Sequence, residues 1–204
     1  MTVMSNYRNP YVVEVYGYCS HQNILTIVME YMTNGDLYGI LHKNSAKHPL
    51  SYLQRMRMAR HCALGLSFLH SNRVIHRDVK SMNILVTEDY ACKLTDFGCA
   101  KLIGDRQNYH TVERGTPLWM APEVKRGQYT FSADIYSLGL VIYEIFERKL
   151  PLFDTIRQTV VLPQTYQSSP VVKPCLDPNP DKRPNAQQLV KVLDLMIRNI
   201  LSSV

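Results

Sequence analysis

The chain has 204 residues, 46% of them hydrophobic and 20% charged, with no low-complexity tract; this excludes a disordered or fibrous chain and leaves room for one sizeable core. Its formal net charge of +6 comes from 23 Lys and Arg against 17 Asp and Glu, with no basic run longer than two. That pattern suits a solvated surface meeting anionic ligands and gives no nucleic-acid-binding tract. Five cysteines, an odd number with no C-x-x-C pair, argue against a disulfide framework or a thiolate metal site, and a reducing, cytoplasmic compartment is expected. No stretch has the length and apolarity of a signal peptide or a membrane helix.

In chain order, "YVVEVYGYC" (11–19) and "ILTIVMEYM" (24–32) predict two strands joined by the polar turn "SHQN". "TNGD" (33–36) predicts a turn, with Asp36 as N-cap of a short helix over 37–43. Residues 50–70 form the clearest helical pattern, with Leu53, Met56, Ala59, Ala63, Leu66 and Leu69 at helical steps. "NILV" (83–86) and "CKLTD" (92–96) are too short for helices and predict small strands around a turn. The polar "DRQNYHTVERGTP" (105–117) predicts a loop. Residues 132–147 are apolar almost all round and predict a buried helix. Six prolines between 151 and 180 predict an irregular segment, and 185–201 predict a closing amphipathic helix. The fold class expected is α+β, with no linker dividing the chain.

The stretch "VIHRDVKSMNILVTEDYACKLTDFG" (74–98) concentrates chemistry between short apolar runs. A carboxylate such as Asp78 can orient a hydroxyl and accept its proton. Asn83 and Asp96 can offer hard oxygen ligands to Mg²⁺, and Lys80 can neutralise a phosphate oxygen. Together these groups suit phosphoryl transfer, where catalysis is mainly positioning and charge neutralisation.

These residues also carry a resemblance. "HRDVKSMN" (76–83), "DFG" (96–98) and "APE" (121–123) resemble, in the right order, the catalytic loop, metal-binding turn and activation-segment end of eukaryotic protein kinases. The resemblance covers nearly the whole chain. It implies a protein-kinase-like fold, with 1–29 as the remnant of the small lobe, 30–36 as the hinge and 37–204 as the helical large lobe. It implies ATP and Mg²⁺ as cofactors, with Asp78 as proton acceptor, Lys80 as phosphate clamp, and Asn83 and Asp96 as metal ligands. It further implies that the Glu30 carbonyl and Met32 amide face the adenine edge, with Leu85 beneath the ring and Met29 as gatekeeper. Asp36 stays open between ribose contact and a plain helix cap.

By the same resemblance Asp134 holds the backbone of the catalytic loop, and Glu123 pairs with Arg183. His76 packs, and Arg77 accompanies control by phosphorylation between DFG and APE, where Tyr109, Thr111 and Thr116 lie and Thr111 is the first choice. Cys99 is expected to be a buried small residue. Lys80 and "GTPLWMAPE" (115–123) are similar to the Ser/Thr-specific members, and the wording of both motifs is similar to the tyrosine-kinase-like group of those. The expected partners are a protein substrate offering Ser or Thr, and ATP, with no nucleic acid.

Within these 204 residues there is no G-x-G-x-x-G and no V-A-I-K-like strand ahead of "VVEVYGYC". The only early glutamate, Glu14, falls in the first predicted strand and is expected on its surface. Two readings follow: a Ser/Thr kinase domain whose phosphate-side cover lies outside this sequence, or a kinase-lobe binding or regulatory module. Whether the sequence is a fragment or a short product stays open.

Overall fold

A computed structural model describes residues 8–22, 24–96, 100–102, 117–156, 159–166 and 168–202. The first element is a hairpin, β1 (Val15–His21) antiparallel to β2 (Ile24–Met29), with a bulge between Val15 and Gly17. β2 lies inside its predicted run, whereas β1 continues two residues past its own, through Ser20 and His21 of the predicted turn. The first run is divided: residues 11–13 leave the hairpin and lie parallel to a later strand, with the Val13 N–H donating to Leu94 O (2.9 Å) and the Leu94 N–H to Tyr11 O (2.9 Å). Glu14 precedes β1 and its carboxylate meets Arg8 at 2.9 Å.

The predicted turn closes with the Gly35 N–H donating to Met32 O, and Gly35 has φ +68°, a left-handed conformation that glycine adopts without penalty. Asp36 then caps the short helix, its Oδ1 accepting from the Gly39 N–H at 2.8 Å. The last five residues of that helix, Gly39–Lys43, are wound as a π-helix.

Helix α1 (Tyr52–Ser71) starts at a capping box. Ser51 Oγ accepts from the Gln54 N–H, and Gln54 Oε1 from the Ser51 N–H, which satisfies two donors that the first turn leaves orphaned. Its apolar stripe, including Met56, Ala59, Ala63, Leu66 and Leu69, is buried. It packs between α2 (Phe131–Glu147) and the C-terminal α4 (Ala186–Ser202). As predicted, α2 is buried on nearly all sides, from Ala133 through Phe146.

Between the helices lie short antiparallel pairs. β3 (Val74–Ile75) pairs with β6 (Lys101–Leu102), and β4 (Ile84–Val86) with β5 (Cys92–Leu94). The second pair matches the predicted small strands. The first, joining residues 25 or more apart, has no local signal. The proline-rich segment is more ordered than predicted: β7 (Leu152–Asp154) and β8 (Thr159–Val161) form a hairpin, and α3 (Ser169–Cys175) follows. Pro170 opens α3, where its missing N–H costs nothing, so a high proline count is compatible with a short helix here. Phe97, Gly98, Cys99, Tyr109, Thr111, Gly115, Thr116 and most of the predicted loop over 105–117 lie outside the described residues.

Candidate active site

Residues 76–83 cross the face of α2, and a buried carboxylate of that helix holds them. Asp134, 2% exposed, accepts the His76 N–H on Oδ2 (2.8 Å) and the Arg77 N–H on Oδ1 (2.9 Å). His70 Nε2 also lies 3.0 Å from Oδ2. Arg77 stands at φ +71°, a conformation that costs a non-glycine residue of order 1–3 kcal/mol. Two charge-assisted bonds to consecutive amides offset that cost and aim the next residue, Asp78.

Asp78 gathers its neighbours on one oxygen. Lys80 Nζ donates to Oδ2 at 2.7 Å, and Asn83 Nδ2 donates to Oδ2 and to the Asp78 carbonyl, each at 2.9 Å. Among the described residues both side-chain bonds to Asp78 fall on Oδ2, so Oδ1 is the oxygen available to a hydroxyl. The buried imidazole of His76 bonds through Nε2 to Thr95 O at 3.0 Å. A carbonyl only accepts, so Nε2 carries the proton; His76 links the loop to the strand leading to Asp96 and packs, as the resemblance implies. The Thr95 N–H donates to Asn83 O at 3.0 Å, which brings Asp96 to the same patch. Asp96 too has a left-handed backbone, φ +60°. So the four residues predicted as catalytic or metal-binding are close together, three of them by direct side-chain bonds.

The four predicted adenine-side residues lie along the 30–36 segment and β4. The Asn34 N–H donates to Val86 O (3.1 Å), the Val86 N–H donates to Gly35 O (2.9 Å), and Asp36 bridges Leu85. Met32 is buried and Leu85 half-buried. The Glu30 side chain binds Lys93 Nζ (2.6 Å) and the Glu14 N–H (2.7 Å), fastening the segment to β5 and to the start of β1. Met29 is 43% exposed. Of the two roles left open for Asp36, the cap is present.

A narrow cleft beside Asp78 is lined by Arg77, Trp119, Met120, Tyr129 and Ser137. The Arg77 guanidinium stacks over Tyr129, 4.9 Å from its centroid. Below it the expected pair is present: Arg183 Nη1 and Nη2 reach Glu123 Oε1 and Oε2 at 2.6 and 3.0 Å, both side chains buried. A bidentate geometry of this kind fixes orientation as well as charge.

Three contacts at this site have no counterpart in the sequence reading. Glu144, fully buried, accepts from Trp119 Nε1 (2.6 Å) and Ser81 Oγ (2.7 Å), and His42 Nε2 lies 2.9 Å away. One signal was available: a lone glutamate in "GLVIYEIF" must be buried with the helix, and a buried carboxylate needs donors. The four described cysteines are free thiols. Burial pushes the Cys175 thiol up to about 12, and hydrogen bonding with Cys62 together with burial pushes Cys92 upward. Both are held protonated, as structural cysteines are.

Sequence comparison agrees with this geometry. The pattern described as "protein tyrosine and serine/threonine kinase" matches residues 1–193. Similar proteins from Dictyostelium discoideum include the "Probable serine/threonine-protein kinase drkB" (34% identical, covering 95% of this chain and 30% of the relative). Serine/threonine-protein kinase dst3 is 38% identical (89% and 34%), and dual specificity protein kinase shkA is 34% identical (97% and 41%). The chain thus spans well under half the length of these relatives. No described helix is long and apolar enough to cross a membrane. With its catalytic-loop, DFG and APE residues in order and the matched pattern covering residues 1–193, the chain belongs to the protein tyrosine and serine/threonine kinase family.

Proposed function

We propose that this domain moves the γ-phosphoryl of ATP to a Ser or Thr hydroxyl of a protein substrate. The observation that carries this reading is the Asp78–Lys80–Asn83 constellation, suspended from Asp134 beside the narrow cleft. Asp78 Oδ1 accepts the hydroxyl proton as the oxygen attacks. Lys80 brings a positive charge 2.7 Å from that carboxylate, where a phosphate oxygen and the hydroxyl must meet. With its amide nitrogen committed to Asp78, Asn83 keeps its carbonyl oxygen as a hard ligand, and Asp96 adds a carboxylate. Among the described residues no group of three or more His, Cys, Asp or Glu is placed to hold a metal. Two oxygen donors fit Mg²⁺, which is held by few protein ligands and completed by substrate phosphates. Bound there, the ion would neutralise phosphate charge.

The adenine would lie between the 30–36 segment and Leu85, against the backbone of Glu30 and Met32, with Asp36 toward the ribose. Lys80 and the shared "IHRDVKSMNIL" wording favour Ser/Thr over Tyr and the tyrosine-kinase-like group, although the relative shkA is named as dual specificity. A cytoplasmic location and control by a phosphate on Thr111 that pairs with Arg77 belong to the same proposal.

The second reading, a binding or regulatory lobe, is favoured by the lack of a G-x-G-x-x-G and strand lysine among the 204 residues. Loss of one preorganised charge donor costs about 10²–10³ in rate, so residues 1–204 alone are expected to transfer phosphate at trace rate. The test places this chain behind the Gly-rich loop and strand lysine of a relative. There Asp78→Asn should lower transfer to Ser/Thr peptides by about 10²–10⁴-fold, with Asp96→Ala as background. Undiminished transfer in Asp78→Asn would overturn the role of Asp78, and transfer mainly to Tyr would overturn the hydroxyl preference.

A further inference from the structure

Helix α2 is apolar apart from a short set of polar positions. Asp134, Ser137 and Glu144 are spaced by three and seven residues, so they fall on one stripe of the helix. All three are occupied. Asp134 holds the amides of residues 76 and 77. Ser137 Oγ donates to Trp119 O at 2.7 Å, and Glu144 Oε1 accepts from the indole Nε1 of the same Trp119 at 2.6 Å. Glu144 Oε2 accepts from Ser81 Oγ at 2.7 Å and lies 2.9 Å from His42 Nε2. A carboxylate has no proton to give, so the imidazole donates.

Ser81 opens the 3-10 turn Ser81–Asn83, whose last residue donates to Asp78. Trp119 ends the turn Pro117–Trp119 and lines the cleft beside Asp78. His42 belongs to the short helix that follows the 30–36 segment. One carboxylate therefore joins three segments that are distant in sequence, each bordering a different side of the site. Ser81 and Glu144 are both 0% exposed, and Trp119 is 4% exposed, so water cannot substitute for a lost bond.

We infer that Glu144 is a positioning residue that couples the cleft-side turn at Trp119 to the catalytic-loop turn at Ser81–Asn83. Asp134 fixes the loop at residues 76–77 and Glu144 fixes it at 81, about 15 Å further along the same helix at about 1.5 Å per residue. Asp78 and Lys80 lie between these two anchors. The Trp119 indole takes its position from the same carboxyl group, so a displacement of either turn is felt by the other. This inference rests on the phosphoryl-transfer reading for its consequence but not for its detection.

Trp119 is the single tryptophan of the chain, so one indole ¹H–¹⁵N resonance reports on it in the purified 204-residue chain. Ser81→Ala, which does not touch the ring, should shift that resonance, as should Glu144→Gln. Lys191→Ala on the exposed face of α4 should not. Reciprocally, Trp119→Phe should shift the side-chain amide resonance of Asn83. An indole resonance unmoved in Ser81→Ala, or an Asn83 amide unmoved in Trp119→Phe, would overturn the coupling. Ser81→Ala removes only a hydroxyl, so it keeps the test open if Glu144→Gln does not fold. In the active fusion described above, Ser81→Ala should lower kcat with little change in the KM for ATP. Coupled resonances with a fully active Asp78→Asn would instead sink the phosphoryl-transfer reading and leave the coupling standing.

Discussion

His61 stacks on Tyr11 with ring centroids 5.1 Å apart. Burial, reinforced by the Arg60 charge, holds its pKa below the ordinary histidine value. Folding therefore favours the neutral ring. Below about pH 6.5 the unfolded chain binds a proton that the folded chain refuses, so this residue's contribution makes stability fall as pH falls through that value. His61→Gln should lose less stability than the wild type between about pH 8 and about pH 5, read as the difference in urea midpoint. Equal losses would show that His61 is not a source of acid sensitivity. At the same scale, the clustering of the residues in "HRDVKSMN" was legible because the motif brings its own spacing: Lys80 and Asn83 both bond to Asp78 within six residues. Asp134 and the Glu123–Arg183 pair were legible only through the family resemblance. The partners of Glu144 were not legible, because Ser81, His42 and Trp119 come from three separate segments and nothing local marks them as donors to one carboxylate.

Helices α1, α2 and α4 begin and end within two residues of their sequence patterns, since a long apolar stripe and a capping box are local signals. The pairs β3–β6 and β7–β8 were illegible for the opposite reason. The two-residue β3 and β6 carry no measurable period and no turn marks them as partners, unlike the three-residue β4 and β5, which a turn joins; the prolines around β7 and β8 read as irregular structure. Gly65 shows how closely such elements meet. A Cβ there would stand 2.5 Å from the Tyr11 carbonyl oxygen and 3.1 Å from Leu94 Cδ1, where α1 crosses the residues 11–13 that pair with β5. Alanine would add about 1 kcal/mol of helix propensity, but the first contact is with backbone that is itself hydrogen-bonded to Leu94. Gly65→Ala should therefore destabilise the fold by a net of about 1–3 kcal/mol, as overpacking does. Urea unfolding at unchanged m checks this, and a stabilised variant would mean that residues 11–13 yield without loss.

The molecule as a whole is unevenly covered. Its helical part buries a continuous core that includes residues from Leu37 to Leu193, whereas among the described residues the β1–β2 hairpin forms a two-stranded sheet of its own. Tyr16, Tyr18, Ile24, Ile27, Val28 and Met29 are each at least 43% exposed, and they lie on both faces of that sheet. Two strands alone are marginal in water, and exposed apolar faces beside open strand edges are a template for association. The chain is expected to self-associate as its concentration rises. Tyr18 is the cross-strand partner of Ile27, so Tyr18→Lys with Ile27→Glu replaces an apolar pair by opposite charges that still suit facing positions. Both positions are exposed, at 68% and 49%, so the helical core should keep its stability to within about 0.5 kcal/mol. Sedimentation velocity over a concentration series should then show the double variant lighter than the wild type at every concentration where the wild type associates. Identical sedimentation of the two proteins would place the sticky surface elsewhere, with the β7–β8 hairpin, where Leu152 is 70% and Ile156 93% exposed, as the next surface to charge.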